Sequence, residues 1–309
     1  MDVMCVGTTV MDILVKGIDL STPFVNRYKR ANNLRFNVGG DAANEATTLA
    51  KLGNLVGIQV GVGDDAVGRM ILHSLESAGV DTSFTKPMAG SDTLSTIVVI
   101  ADSGQRDFIA SPWVEAIHYT PDTESFKDAK IVALGSIFEP PFDTVESIHR
   151  VVKAAKEAGA VVCSDMIYNE IYFTFEEMKD VYPYIDYFFP NYDEAVVATG
   201  KTDLNEIADV YLKAGVKNIV IKTGADGCFI KNADGGNSYP AFHVDNVVDT
   251  TGAGDNFAAG FMTGLVRGYD LAGCAEYGAA TASIAVQNLG ASGFDISDEM
   301  VKAVIAGKR

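Results

Sequence analysis

Basic side chains are scarce in this chain. Its 309 residues carry 24 Lys and Arg against 41 Asp and Glu, a formal net charge of −17. That shortage argues against a nucleic-acid-binding surface, which needs basic patches, and an anionic membrane would repel the chain. It does not demand a cationic ligand, because a few local amides and lysines override the overall charge. Cysteine is sparse and dispersed: Cys5, Cys163, Cys228 and Cys274 form no CxxC pair and sit among apolar or small residues. Buried free thiols are expected in place of a disulfide framework or zinc site, as suits a reducing cytoplasm. The four histidines, His73, His118, His149 and His243, lack metal-ligand spacing, and no Ser-His-Asp arrangement can be argued. No apolar run approaches a membrane span, and the N-terminus has Asp2 and Asp12 where a signal peptide would be positive. Two nucleotide signatures are also missing. Gly61-Val-Gly63 does not continue as a GxGxxG fingerprint, which argues against an NAD-binding dehydrogenase, and there is no GxxxxGK[ST] P-loop.

What remains is an ordinary globular composition, 48% hydrophobic and 21% charged, enough for one large domain or a domain with an appendage. Short apolar strands, such as 1–7, 56–62, 131–134, 161–164, 187–189 and 218–221, alternate with helical periodicity over 41–52, 65–77, 142–156 and 253–267. Two further helices are expected over 271–287 and 298–306. The alternation predicts an α/β fold with a mostly parallel sheet covered on both faces. Residues 11–38 and 92–112 break the rhythm and are β-prone, which predicts a small separate sheet.

Four segments carry the chemistry. In Asp249-Thr-Thr-Gly-Ala-Gly-Asp255 two glycines precede an apolar helix. Helix N-terminal amides attract anions, and Gly252 and Gly254 let a phosphate approach the backbone. Asp255 is out of character at an anion site unless it takes a proton from an attacking hydroxyl. A plain capped helix, with Thr251 or Asp255 as the cap, explains the same letters. In Asn37-Val-Gly-Gly-Asp-Ala-Ala-Asn44, glycine amides and Asn44 suit a polyol, or else form a glycine turn before a surface asparagine. Asn191-Tyr-Asp-Glu194 follows a strand and offers oxygen ligands to Mg²⁺, or else a capping box. Lys222-Thr-Gly-Ala-Asp-Gly227 is a glycine turn after a strand, open to nucleotide contact or to a simple hairpin.

Taken together and in this order, the four motifs resemble the ribokinase/PfkB family of carbohydrate and nucleoside kinases over essentially the whole chain. Gly63-Asp-Asp-Ala-Val-Gly68 fits the segment between the first two. The resemblance implies a single domain of 1–309 with a three-layer α/β/α ribokinase-like fold. It also implies that the stretches 11–38 and 92–112 form a β-sheet lid, through which two subunits clasp into a homodimer.

The resemblance further implies ATP-dependent phosphorylation of a sugar-like substrate, with Asp255 as base and Gly252, Ala253 and Gly254 as anion hole. Asp12, Gly39, Gly40 and Asn44 would bind substrate hydroxyls, with Glu139 on the same side. Asn191 and Glu194 would serve Mg²⁺, through water, and the phosphates. Thr223, Gly224 and Gly227 would border the nucleotide, and Asp249 and Thr251 match positions that help hold K⁺. Asp165 matches an Asp at a strand end, but Met166, Ile167 and Tyr168 follow where sugar kinases often have asparagine and arginine, and position 279 is Ala. A nucleoside kinase is the alternative, with Phe108, Trp113, Phe138 and Tyr168 as aromatics able to stack on a base. A non-catalytic sugar sensor has no use for Asp255.

Overall fold

A computed structural model describes residues 1–18, 22, 25–100, 106–112, 118–168 and 172–307. The chain folds around an eight-stranded sheet. In chain order its strands are β1 (Val3–Gly7), β4 (Val56–Val60), β7 (Ile131–Ile137), β8 (Val161–Met166), β9 (Tyr187–Phe188), β10 (Asn218–Lys222), β11 (Cys228–Asn232) and β12 (Gly235–Tyr239). Their spatial order is β12-β11-β10-β9-β8-β7-β1-β4, parallel except for the hairpins that join β10, β11 and β12. A second, four-stranded sheet runs β3-β2-β5-β6, from β2 (Val10–Lys16), β3 (Asn33–Gly39), β5 (Ser95–Ile100) and β6 (Arg106–Ala110).

Alternation along each central strand fills two cores. In β1, Val3 and Cys5 point into one and Met4 and Val6 into the other, and Ile131–Leu134 of β7 divide the same way. One face is covered by α1 (Asp41–Lys51), α2 (Ala66–Ser77), α6 (Ala253–Val266) and α7 (Leu271–Ala285), with α8 (Asp298–Gly307) outside α7. The other is covered by α3 (Val145–Glu157), α4 (Tyr192–Thr199) and α5 (Leu204–Ala214). Helices on both faces make the three layers that a buried parallel sheet requires. All four cysteines are buried free thiols. Among the described residues no helix is long and apolar enough to cross a membrane.

Several boundaries differ from expectation. β7 and β8 run past Leu134 and Ser164, so Asp165 lies within a strand. The helix expected from 142 begins at Val145, because Thr144 caps it by accepting from Ser147 N. β12 carries no strong strand signal, being rich in Gly, Asn and Ser, yet pairs with β11 in register from Cys228–Tyr239 to Asn232–Gly235. Within the stretch 92–112, β5 and β6 pair antiparallel, and residues 101–105 lie outside the described residues.

The chain leaves β1 for β4 on one side and returns to β7 on the other, so strand order reverses at β1. In open α/β sheets ligands bind outside the carboxyl ends of the strands at such a point. Glycines let α1 enter it: a Cβ on Gly135 would lie 2.5 Å from Ala42 N, and one on Gly40, at φ +88°, 2.6 Å from Thr8 O. The small sheet flanks the same opening. Asn37, Asp12, Thr96 and Ala110 form one cross-strand row, and Phe36, Ile13, Ile97 and Ile109 form the next. Successive rows face opposite ways, so the polar row and the apolar row lie on opposite faces.

Candidate active site

Asp255 occupies the first turn of α6 with only 8% of its surface exposed. The helix opens at Gly252, whose φ of 72° suits glycine and which has no side chain to cap it. The cap position therefore falls on Gly252 and not on Thr251 or Asp255. Ala253 N bonds to Thr250 O at 3.2 Å, so the turn into α6 is itself tight. Gly252 has no room for a side chain, since a Cβ would come 2.4 Å from that of Ala291.

Around Asp255 the fold gathers residues from five elements. Asn44, one turn into α1, donates from Nδ2 to Asp255 Oδ2 at 2.7 Å. Asn44 Oδ1 and Glu45 Oε2 are buried and have no hydrogen-bond partner among the described residues. Asp41 opens α1 and accepts from Ser136 Oγ of β7. Asp165, in β8, accepts from Met166 N at 2.8 Å and pairs with Lys222 Nζ at the end of β10. Glu194 stands on α4 beside them.

Burial raises the pKa of every one of these acids. Asp255 lies well above the usual carboxylate range because of burial and then Asp41, against the pull of Asn44 and Lys222. Glu45 is raised likewise by burial and by Asp165, Asp255 and Asp41. Asp41, Asp165 and Glu194 are also raised by burial, each opposed by Lys222. Burial alone would lower Lys222, but Asp165 and Glu194 more than offset it and hold the ammonium charged.

On the small-sheet side, Asp12 stands against Gly39, where a Cβ would lie 2.3 Å from Asp12 Oδ2. Burial pushes Asp12 up to about 6. Glu139 follows β7 and is pushed up to about 7 by burial and then by Asp41, against a bond with Thr8. A hydroxyl-rich ligand can meet both donors and acceptors here, because carboxyls poised between their two forms offer either.

On the other side, Asn191 and Glu194 form a capping box. Glu194 N donates to Asn191 Oδ1 at 2.9 Å and Asn191 N to Glu194 Oε2 at 2.8 Å. The loop 223–227 is the hairpin turn between β10 and β11, with Thr223 N donating to Gly227 O at 2.8 Å. The hairpin needs Gly227, where a Cβ would meet Tyr239 O at 2.0 Å, whereas Gly224 faces open space. Lys222 N bonds to Pro190 O at 2.9 Å, which brings this turn beside Asn191.

Asp249 ties two loops together. Its Oδ1 accepts from Thr251 N at 2.9 Å and its Oδ2 from Gly290 N at 3.0 Å. Among the described residues no group of three or more His, Cys, Asp or Glu could hold a metal ion. Of the four aromatics weighed for stacking, Phe138 is fully buried against Tyr172 and Phe173 and is unavailable. Phe108 is 64% exposed and Tyr168 half exposed, and Trp113 lies outside the described residues. Asp41, Glu45 and Lys222 escaped the motif-based reading as site residues. Asp41 and Glu45 stand inside the motif around Gly39, and Lys222 begins the motif that ends at Gly227.

The three layers and the second small sheet define the ribokinase-like class of α/β folds. The chain belongs to the pfkB family of carbohydrate kinases, whose profile matches residues 1–298. It is 26% identical to a 2-dehydro-3-deoxygluconokinase of Bacillus subtilis over 297 residues, 90% of each chain. It is 24% identical to a ribokinase of Haemophilus influenzae over 264 residues, 84% of each chain. Among solved structures it is similar to an Arabidopsis thaliana ribokinase complexed with ribose and ATP, with a TM-score of 0.84, 27% identity and 98% of each chain covered.

Proposed function

We propose that the chain transfers the γ-phosphoryl group of ATP to a hydroxyl of a sugar or sugar acid, with Asp255 as general base. One arrangement supports this above all: a buried carboxyl in the first turn of a helix that opens on a left-handed glycine. The hydroxyl oxygen forms the new bond to phosphorus as the bond to the bridging oxygen of ADP breaks, and the hydroxyl proton passes to Asp255. The amides of Gly252 and Gly254, joined by that of Ala253 where it gives up Thr250 O, would face the charge that spreads over the phosphoryl oxygens, where one such donor is worth about 3 kcal/mol. Asp12, Gly39, Gly40, Asn44 and Glu139 border the acceptor, and Thr223, Gly224 and Gly227 border the nucleotide. Closure of the small sheet over the site would exclude water as a rival acceptor.

The donor set suits Mg²⁺ held mostly by phosphates and water. Asn191 and Glu194 offer oxygens beside the nucleotide turn, and no preformed cage of acids is present among the described residues. When bound, that ion neutralises phosphate charge. A K⁺ beside Asp249 and Thr251 would brace the loop from which α6 begins. Buried free thiols suit a cytoplasmic protein. A nucleoside as acceptor is the second reading, favoured by exposed Phe108, which lies on the same face of the small sheet as Asp12.

An assay of ADP release with MgATP against a panel of sugars, sugar acids and nucleosides tests the reading, and silence across the panel with folded protein would defeat it. In the same assay Asp255→Asn should still bind ATP but lose at least ~10² in kcat. Near-normal turnover would remove Asp255 from its role. Replacing K⁺ with tetramethylammonium should lower the rate, and equal rates would dismiss the ion site.

A further inference from the structure

Lys222 is the last residue of β10, and only 14% of its side chain is exposed. Its evident partner is Asp165 at the end of β8, which suggests a strut between two strands. Two observations go beyond a strut. First, the ammonium lies against the helix that carries Asp255: a Cβ on Gly254 would sit 3.1 Å from Lys222 Nζ. The bare backbone of Gly254 therefore leaves the charge facing the first turn of α6. Second, Asp41, Glu45, Asp165, Glu194 and Asp255 each feel Lys222 as the cation that favours their charged form. One ammonium serving five acids exceeds what a strut between two strands requires.

A triphosphate entering this acidic hollow would be repelled unless a cation met it. Lys222 is placed to do so, because its neighbour on the helix side is a set of backbone amides already suited to an anion. We propose that Lys222 is a catalytic residue whose ammonium completes the anion hole by contacting the γ-phosphoryl oxygens, with Asp165 as the positioning residue that aims it. This assignment rests on the phosphoryl-transfer reading. It adds a point charge where the charge of the transferred group spreads, and Asp165 keeps the long side chain from wandering in the empty enzyme.

Calorimetric titration of the full chain with Mg²⁺ and either ADP or the β,γ-imido analogue of ATP tests it. Lys222→Met should weaken the imidotriphosphate at least ~10-fold beyond any change in ADP affinity, and lower kcat at least ~10² with little change in acceptor KM. Lys222→Arg should recover part of both. Lys222→Met leaves Asp165 buried without its partner and can fail to fold. The double variant Lys222→Met/Asp165→Asn removes both charges and should show the same selective loss. Asp165→Asn alone should lower kcat while ADP binding holds. A folded variant lacking the ammonium that keeps the wild-type preference for the imidotriphosphate, and its kcat, reduces Lys222 to a strut. Wild-type protein that binds neither nucleotide brings down the phosphoryl-transfer reading and this assignment together. Wild-type binding with indifferent Lys222 variants brings down this assignment alone.

Discussion

At the scale of single residues, Asn44 changes its part most. Its motif suggests a contact to substrate hydroxyls, but its amide donates to Asp255, and that bond favours the carboxylate. Removing it lets burial raise Asp255 further. A base must be ionised, so activity falls as pH drops through its pKa, and a higher pKa moves that fall upward. Asn44→Ala should therefore shift the acid limb of kcat/KM to higher pH, losing more activity at pH 6 than at pH 8.5. A pH–rate profile with an unmoved acid limb would contradict this. Asp255 itself was readable in the sequence, because the glycines that bare the helix N-terminus stand within three residues of it. The pair Lys222–Asp165 was not, since its members lie 57 residues apart and meet only because β8 and β10 flank β9.

At the scale of elements, α6 depends on how it begins. Gly252 combines a left-handed φ of 72° with a Cβ position 2.4 Å from that of Ala291. Gly53, at φ +89°, has nothing within 4 Å of its Cβ position. Alanine at either site meets backbone strain of about 1–2 kcal/mol, but only at residue 252 must the helix N-terminus also move. Gly252→Ala should thus lose at least ~10-fold in kcat along with stability, whereas Gly53→Ala should lose stability and keep kcat. Denaturant titration beside steady-state kinetics separates the two, and equal kcat in both variants would count against a geometric role for the turn. Helices were visible in the sequence through their apolar spacing and end signals. The hairpin of β11 and β12 was not, because its stability comes from pairing with β10 at the sheet edge. Asn191 and Glu194 show the limit of motifs: the same letters build the capping box of α4 and can serve the phosphates.

For the whole molecule, the row Phe36, Ile13, Ile97 and Ile109 raises the question of assembly. Phe36 and Ile109 are 55% and 57% exposed, on the face of the small sheet turned away from Asp12. Exposed apolar side chains along one row of a sheet favour association, and a second copy of the same sheet is their natural complement. Sedimentation at micromolar concentration should give a dimer, and Phe36→Glu/Ile109→Glu should give monomers that still bind ATP. A monomeric wild type would refute lid-to-lid pairing. The parallel strand rhythm announced the large sheet, and the interruptions in it announced the small one. How α1, which follows β3 of the small sheet, seats against β7 of the large one depends on glycine contacts such as Gly135 on Ala42, which no periodicity reveals. On the proposed reading, the split of the site between the two sheets has an evolutionary consequence. The acids proposed to border the acceptor stand in β2 and after β7, while the groups proposed to meet the phosphate come from α6, β8 and β10. Acceptor choice can therefore drift through one set of mutations while the transfer machinery stays under separate selection, so a lineage can acquire a new acceptor without passing through an inactive ancestor.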